Sequence, residues 1–161
     1  MGSKSIDFSG PFFYVNSMTN ILILNGPNLN LLGMRQPEVY GKTTLEEVAQ
    51  MCREKARELG VKIDFRQSNH EGVLIDWIQE AKGKFDGLII NAGGYTHTSV
   101  AIHDAILSVE IPTLELHLSN IKEREPFRHL SYIEYVAFES IMGHGPKGYS
   151  MAIEAMKAHL A

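Results

Sequence analysis

From residue 20 onward, five short apolar runs punctuate the chain, and most are followed by a stretch with helical periodicity. The runs are "NILILN" (20–25), "VKIDFRQ" (61–67), "FDGLIINA" (85–92), "TLELHL" (113–118) and "YVAFESIM" (135–142). Strands separated by helices specify βαβ units, so the sheet is expected to be parallel. Right-handed crossovers then place helices on both faces. The expectation is an α/β fold: a three-layer, doubly wound, five-stranded parallel sheet, flavodoxin-like. The second run alternates at period two, as an edge strand does.

The helical stretches carry their own signals. In "TTLEEVAQMCREKARELG" (43–60), Leu45, Val48, Ala49, Cys52, Ala56 and Leu59 fall on one stripe. Thr44 and Glu47 form a capping box, and Gly60 suits the C-terminal stop. Further helices are expected over 73–82, 98–109 and 148–160, with Leu74, Ile75, Ile78 and Ala81 inward in the first of these. No internal repeat or second domain is visible, so residues 18–161 are read as one catalytic domain. The first 17 residues, "MGSKSIDFSGPFFYVNS", lack periodicity. They read as a leader or expression-derived extension, one that can be disordered, since "FFYV" is too short for a signal-peptide core.

Composition narrows the function classes. With 161 residues, 44% hydrophobic and 21% charged, the chain can bury a sizeable core. Its net charge of -4 provides no basic face for nucleic acid. No run approaches the roughly 18 apolar residues that span a bilayer. The single cysteine, Cys52, excludes an internal disulfide and reads as a small core residue. A cytoplasmic setting fits.

In doubly wound sheets ligands lie beyond the carboxyl ends of the strands. Here those ends carry Asn25-Gly26-Pro27-Asn28, Ser68-Asn69-His70-Glu71-Gly72, Asn91-Ala92-Gly93-Gly94, then Glu115, His117 and Ser119, and finally Gly143-His144-Gly145. Turn chemistry alone accounts for glycines and asparagines, but not for histidines and a serine along the fourth strand. Gly93-Gly94 is neither a Walker loop nor part of a G-x-G-x-x-G fingerprint, so no cofactor is expected. A tight turn needing positive φ would explain both glycines. His97, beside a helix start, suits neutral hydrogen bonding. His97, His103 and His117 lack metal-ligand spacing, so no metal is expected.

On the helix over 98–109, Ala101, Ile102, Ala105, Ile106 and Val109 make an inward stripe. The opposite face holds Val100, His103, Asp104 and Leu107, and two aliphatics there point to a subunit contact. Asp104 on this face is equally consistent with a solvated residue. The loop "GPNLNLLGMRQPEVYGK" (26–42) is far longer than ordinary βα connections and fits an active-site lid. It contains Arg35 and Tyr40, and a fixed cation near a tyrosine favours the tyrosinate. Arg124 and Arg128, in "SNIKEREPFR", follow the fourth strand and could serve an anionic substrate.

The motifs "ILNGPNLNLLGMRQPEVYG", "RQSNHEGVLIDWI", "NAGGYTHTSVAIHDAI", "ELHLSNIKEREPFR" and "GHGPKGY" resemble those of type II 3-dehydroquinate dehydratases, in order and spacing, over about residues 20–158. The resemblance implies cofactor-free dehydration of 3-dehydroquinate to 3-dehydroshikimate. It implies that Tyr40 is the base, that Arg35 activates it, and that Asn28 positions a water for the enolate. It makes His117 the general acid, held by Glu115. It gives Leu118 and Ser119 the substrate carboxylate, and Asn91, His97 and Arg128 other substrate contacts. It lends Asp104 to an adjacent subunit and implies trimers assembled into a dodecamer.

Three positions depart from the family pattern: Gln36 after the lid arginine, His129 after Arg128, and Phe138-Glu139 in the fifth run. A flavin-binding domain is disfavoured by Gly-Pro-Asn-Leu-Asn after the first run, where a hydroxyl-rich phosphate loop belongs. A phospho-acceptor receiver is disfavoured by Asn91, where it needs an aspartate, and a Schiff-base dehydratase by the lack of a strand-end lysine.

Overall fold

A computed structural model describes residues 17–161. The expected N-terminal extension falls almost wholly on residues 1–16 and lies outside the described residues. Strands β1 (Asn20–Asn25), β2 (Lys62–Gln67), β3 (Gly87–Asn91), β4 (Thr113–His117) and β5 (Glu139–Met142) form one sheet in the order β2-β1-β3-β4-β5. Every pairing is parallel. This is the flavodoxin-type order, with its switch point between β1 and β3.

The helices are α1 (Pro37–Tyr40), α2 (Leu45–Leu59), α3 (Glu71–Ala81), α4 (Val100–Val109) and α5 (Lys147–Leu160). Pleating sends alternate residues of a strand to opposite faces. Ile21, Ile23, Ile89, Leu114 and Leu116 therefore meet Val48, Cys52 and Ala56 of α2, and Tyr149, Ile153 and Met156 of α5. Leu22, Leu24, Leu88 and Ile90 meet Leu74 and Ile78 of α3, and Ile102 and Ile106 of α4. Cys52 is fully buried, and burial pushes its thiol up to about 12. The capping box of α2 is complete, with both the Thr44 and Glu47 side chains engaged.

Several local expectations shift. The fifth strand begins at Glu139 rather than 135, because Val136 and Ala137 both donate backbone hydrogen bonds to the Ile133 carbonyl and form a turn. Helix α3 begins at Glu71, two residues earlier than its apolar spacing suggests. Helix α4 begins at Val100, capped by Ser99, whose hydroxyl accepts from the Ile102 amide at 2.9 Å. Ala101, expected inward, is exposed, while Ile102, Ala105, Ile106 and Val109 are buried. The long loop over 26–42 contains a 3-10 turn at Leu29–Leu31 and the single turn α1.

Candidate active site

At the carboxyl edge of the sheet lies a cavity of about 250 Å³, lined from four directions. The segment after β1 contributes Asn28, Leu29, Leu32, Arg35 and Tyr40. The β3 end contributes Asn91, Gly93, Gly94 and His97. From β4 come His117, Leu118 and Ser119, and the following 3-10 turns add Ile121, Arg124 and Arg128. Of the site residues that the resemblance implies, Glu115 and Asp104 are the two that do not line it.

The loop glycines set the shape of this cavity. A Cβ at Gly26 would sit 2.3 Å from the Ala92 carbonyl oxygen, so β1 and β3 can leave the sheet side by side only with glycine there. Gly93 has φ +57 and packs on Pro27. Gly94 needs no such conformation and faces open space, so the turn accounts for one glycine of the pair, not both.

Glu115 stands behind His117 rather than in the cavity. On β4, Leu114 and Leu116 face α2 and α5, so Thr113, Glu115 and His117 take the other face. The Glu115 carboxylate is fully buried and receives four donors. Its Oε1 accepts from His117 Nε2 at 2.7 Å, Thr96 Oγ1 at 2.6 Å and Ser131 Oγ at 2.5 Å. Its Oε2 accepts from Ser140 Oγ at 2.9 Å. Burial raises the pKa of such a carboxyl, but the bond and charge of His117, with the Ser131 and Thr96 hydroxyls, outweigh it and hold Glu115 at about 2. An ionised Glu115 can only accept, so His117 Nε2 carries a proton and Nδ1 is the nitrogen left for the cavity.

A second pair lines the same cavity. Arg124 Nη1 donates to the Tyr40 hydroxyl oxygen at 2.6 Å, and its guanidinium lies 5.5 Å from the Tyr40 ring centroid. It also reaches Ser119 Oγ at 3.5 Å. The arginine on the phenol is thus Arg124, from the turn after β4, whereas the sequence reading gave that place to Arg35. Arg35 sits exposed at the cavity rim.

The remaining contacts are local. His97 ends a 3-10 turn (Gly93–His97) ahead of α4 rather than starting the helix. Its Nδ1 donates to the Leu130 carbonyl at 2.7 Å, leaving Nε2 unprotonated in the neutral ring. Burial lowers its pKa despite that bond, and His117 and Arg128 push the same way. Asn28 has left-handed φ 68, and its backbone N–H donates to Asn69 Oδ1 at 3.0 Å. Arg128 pairs with Glu125 at 2.9 Å. Asp104 has a 67% exposed side chain beside His103, with Val100 and Leu107, 51% and 61% exposed, on the same outer face.

Sequence reasoning missed Thr96, Ser131 and Ser140 as partners of Glu115, and Tyr149 beneath the cavity. Hydroxyl residues scattered over three segments give no local pattern. A buried glutamate on β4 was the only available hint that donors had to exist somewhere.

The arrangement offers a tyrosine under an arginine, a histidine backed by a carboxylate, and backbone and guanidinium donors suited to an anion. The family model described as Dehydroquinase class II matches residues 19–157. A 3-dehydroquinate dehydratase of Dinoroseobacter shibae is 61% identical over 141 residues, covering 88% of this chain and 94% of that protein. Its counterpart in Ruegeria pomeroyi is 56% identical over 144 residues, covering 89% and 97%. The crystal structure of a type II dehydroquinase from Butyrivibrio crossotus superposes with a TM-score of 0.86 at 47% identity, covering 88% of this chain and 99% of that one.

Proposed function

The chain belongs to the dehydroquinase class II family, and we propose that it dehydrates 3-dehydroquinate to 3-dehydroshikimate, the hydro-lyase step of the shikimate pathway, through an enolate. The observation that carries this reading is the pairing of Tyr40 with Arg124 and of His117 with Glu115 around one cavity. A β-hydroxy ketone loses water most easily when a base takes the proton beside the ketone and an acid then protonates the departing hydroxyl. Two groups of opposite role are needed at one substrate.

Tyr40 is the base. The Arg124 guanidinium stabilises the charge the phenol oxygen carries once its proton is gone, and Arg35 adds positive potential from the rim. As the C–H bond breaks, charge moves onto the ketone oxygen, where a water held by Asn28 donates. His117, in its imidazolium form with Nε2–H on Glu115, gives its second proton from Nδ1 to the leaving hydroxyl, so the C–O bond breaks, the alkene forms and water departs in an anti elimination. Glu115 holds the imidazole ring and balances its charge. The backbone amides of Leu118 and Ser119, with the serine hydroxyl, bind the substrate carboxylate. Asn91, His97 and Arg128 complete the contacts.

The outer face of α4 supports a subunit contact: Asp104 projects away from its own cavity among exposed aliphatics. The reading places it at a neighbouring subunit's site, in trimers that assemble into a dodecamer. A cytoplasmic setting accompanies it, and no described helix is long and apolar enough to cross a membrane. The enzyme works without cofactor or metal.

The test follows the ultraviolet band of the conjugated enone when protein and 3-dehydroquinate are mixed with chelator present. Wild type is expected to generate the band, and Tyr40→Phe to lose about 10²- to 10⁴-fold in rate. A folded but silent wild type, or an active Tyr40→Phe, would overturn the assignment.

A further inference from the structure

Beneath the cavity floor runs a buried chain of hydrogen bonds that the reaction scheme does not use. It joins Asn25 at the end of β1, Asn91 at the end of β3 and Tyr149 of α5, exposed by 0%, 3% and 1%. Asn25 and Asn91 are register partners on adjacent strands. Tyr149 belongs to the core on the α2/α5 face of the sheet, packed against Phe65 with ring centroids 6.0 Å apart, and does not line the cavity.

Both ends of the chain are backbone groups, whose donor or acceptor character is fixed. At one end the Arg66 carbonyl can only accept, and Asn25 Nδ2 donates to it at 3.0 Å. Asn25 must then turn Oδ1 the other way, where it accepts from the Tyr149 hydroxyl at 2.6 Å. The phenol has now used its only proton, so its oxygen accepts from Asn91 Nδ2 at 3.2 Å. Asn91 Oδ1 is left for the other end, the Gly93 N–H, at 3.3 Å. Reversing any one amide would place acceptor against acceptor or donor against donor somewhere in a buried line. The direction of the whole chain is determined. Burial raises the Tyr149 pKa far above its ordinary value, so the phenol stays protonated through the working range.

For Asn91 the consequence is specific. One Nδ2 hydrogen is committed to Tyr149 and one Oδ1 lone pair to the Gly93 N–H, leaving one of each for the cavity, in fixed positions. We propose that Tyr149 is a positioning residue for substrate binding, acting through Asn91: the Arg66–Asn25–Tyr149 chain sets which edge of the Asn91 amide presents its donor to the substrate. The inference rests on the reading of Asn91 as a substrate contact.

A double-variant cycle on the full chain separates the two ideas. kcat/KM for 3-dehydroquinate is measured for wild type, Tyr149→Phe, Asn91→Ala and the double variant. Each single variant is expected to lose about tenfold. The double variant is expected to match Asn91→Ala within about twofold, since Tyr149 has nothing left to orient. Should Tyr149→Phe not fold, Asn25→Ala keeps the phenol and frees its proton, and is expected to give the same pattern. Losses that multiply in the double variant, or a Tyr149→Phe enzyme indistinguishable from wild type, overturn the positioning role. A fully active Asn91→Ala overturns the reading of Asn91 itself, and the positioning role with it.

Discussion

Glu115 is buried, ionised and surrounded by donors from β4, β5, the turn after β3 and the segment ahead of β5. Its pKa falls from 4.5 to about 2 on folding. A depressed carboxyl contributes stability that is full above its unfolded value and lost as the pH falls through the folded one. The contribution is on the order of 3 kcal/mol and disappears between about pH 5 and pH 2. Glu115→Gln is expected to lower stability at pH 7 by about that amount, since donors aimed at the carboxylate lose an anionic acceptor. It is also expected to flatten the acid limb of a stability-versus-pH curve measured by urea unfolding. An unchanged acid limb would mean the carboxylate is not held ionised by these partners. At this scale the sequence was readable where polar residues gather at a strand end, as at His117 and Glu115, which the structure brings within a 2.7 Å hydrogen bond. It was silent about Thr96, Ser131 and Ser140, whose role depends on three loops converging. Arg124 was visible as a cation near the cavity, but its contact with Tyr40 depends on how two distant segments fold back on each other.

Among the elements, the segment between β1 and α2 shows most plainly how short-range chemistry builds a site. It leaves the sheet through Gly26, turns at Leu29–Leu31, bends at Gly33 with φ +87, and forms α1, which carries Tyr40 to the cavity. A Cβ at Gly33 would meet the Lys42 carbonyl oxygen at 2.7 Å, and the left-handed backbone adds about 1–2 kcal/mol for any L side chain. Gly33→Ala is therefore expected to reduce kcat/KM about tenfold by misplacing Tyr40, with a lower Tm. Gly72→Ala is the control: it lies in α3 with open space around it, and is expected to be neutral or slightly stabilising. Equal effects at both positions would detach the lid conformation from activity. Length alone marked this segment as a lid. Its internal turns were hidden because three or four residues are too few for periodicity. The same limit moved the start of β5, where Val136 and Ala137 close a turn on the Ile133 carbonyl rather than extend.

For the molecule as a whole, the run of strands and helices was enough to anticipate a parallel doubly wound sheet, because each strand has a definite apolar pattern and each crossover a fixed hand. Assembly is less legible, since an exposed Val100 or Leu107 shows only that a face is apolar, not what covers it. If Asp104 completes a neighbour's site, a Tyr40→Phe chain and an Asp104→Ala chain are each defective but complementary. Refolding the two together is expected to restore roughly a quarter of the sites by random mixing. Absence of any recovery in a mixed oligomer would assign Asp104 to solvent. In the proposed mechanism Tyr40 and His117 act in sequence at one cavity. It is tested most directly by deuterium exchange at the carbon beside the ketone, followed by NMR in heavy water with His117→Ala. This variant is expected to wash deuterium into 3-dehydroquinate while forming little 3-dehydroshikimate, and Tyr40→Phe is expected to do neither. Exchange that survives in Tyr40→Phe and disappears in His117→Ala would contradict it, by reversing the two roles.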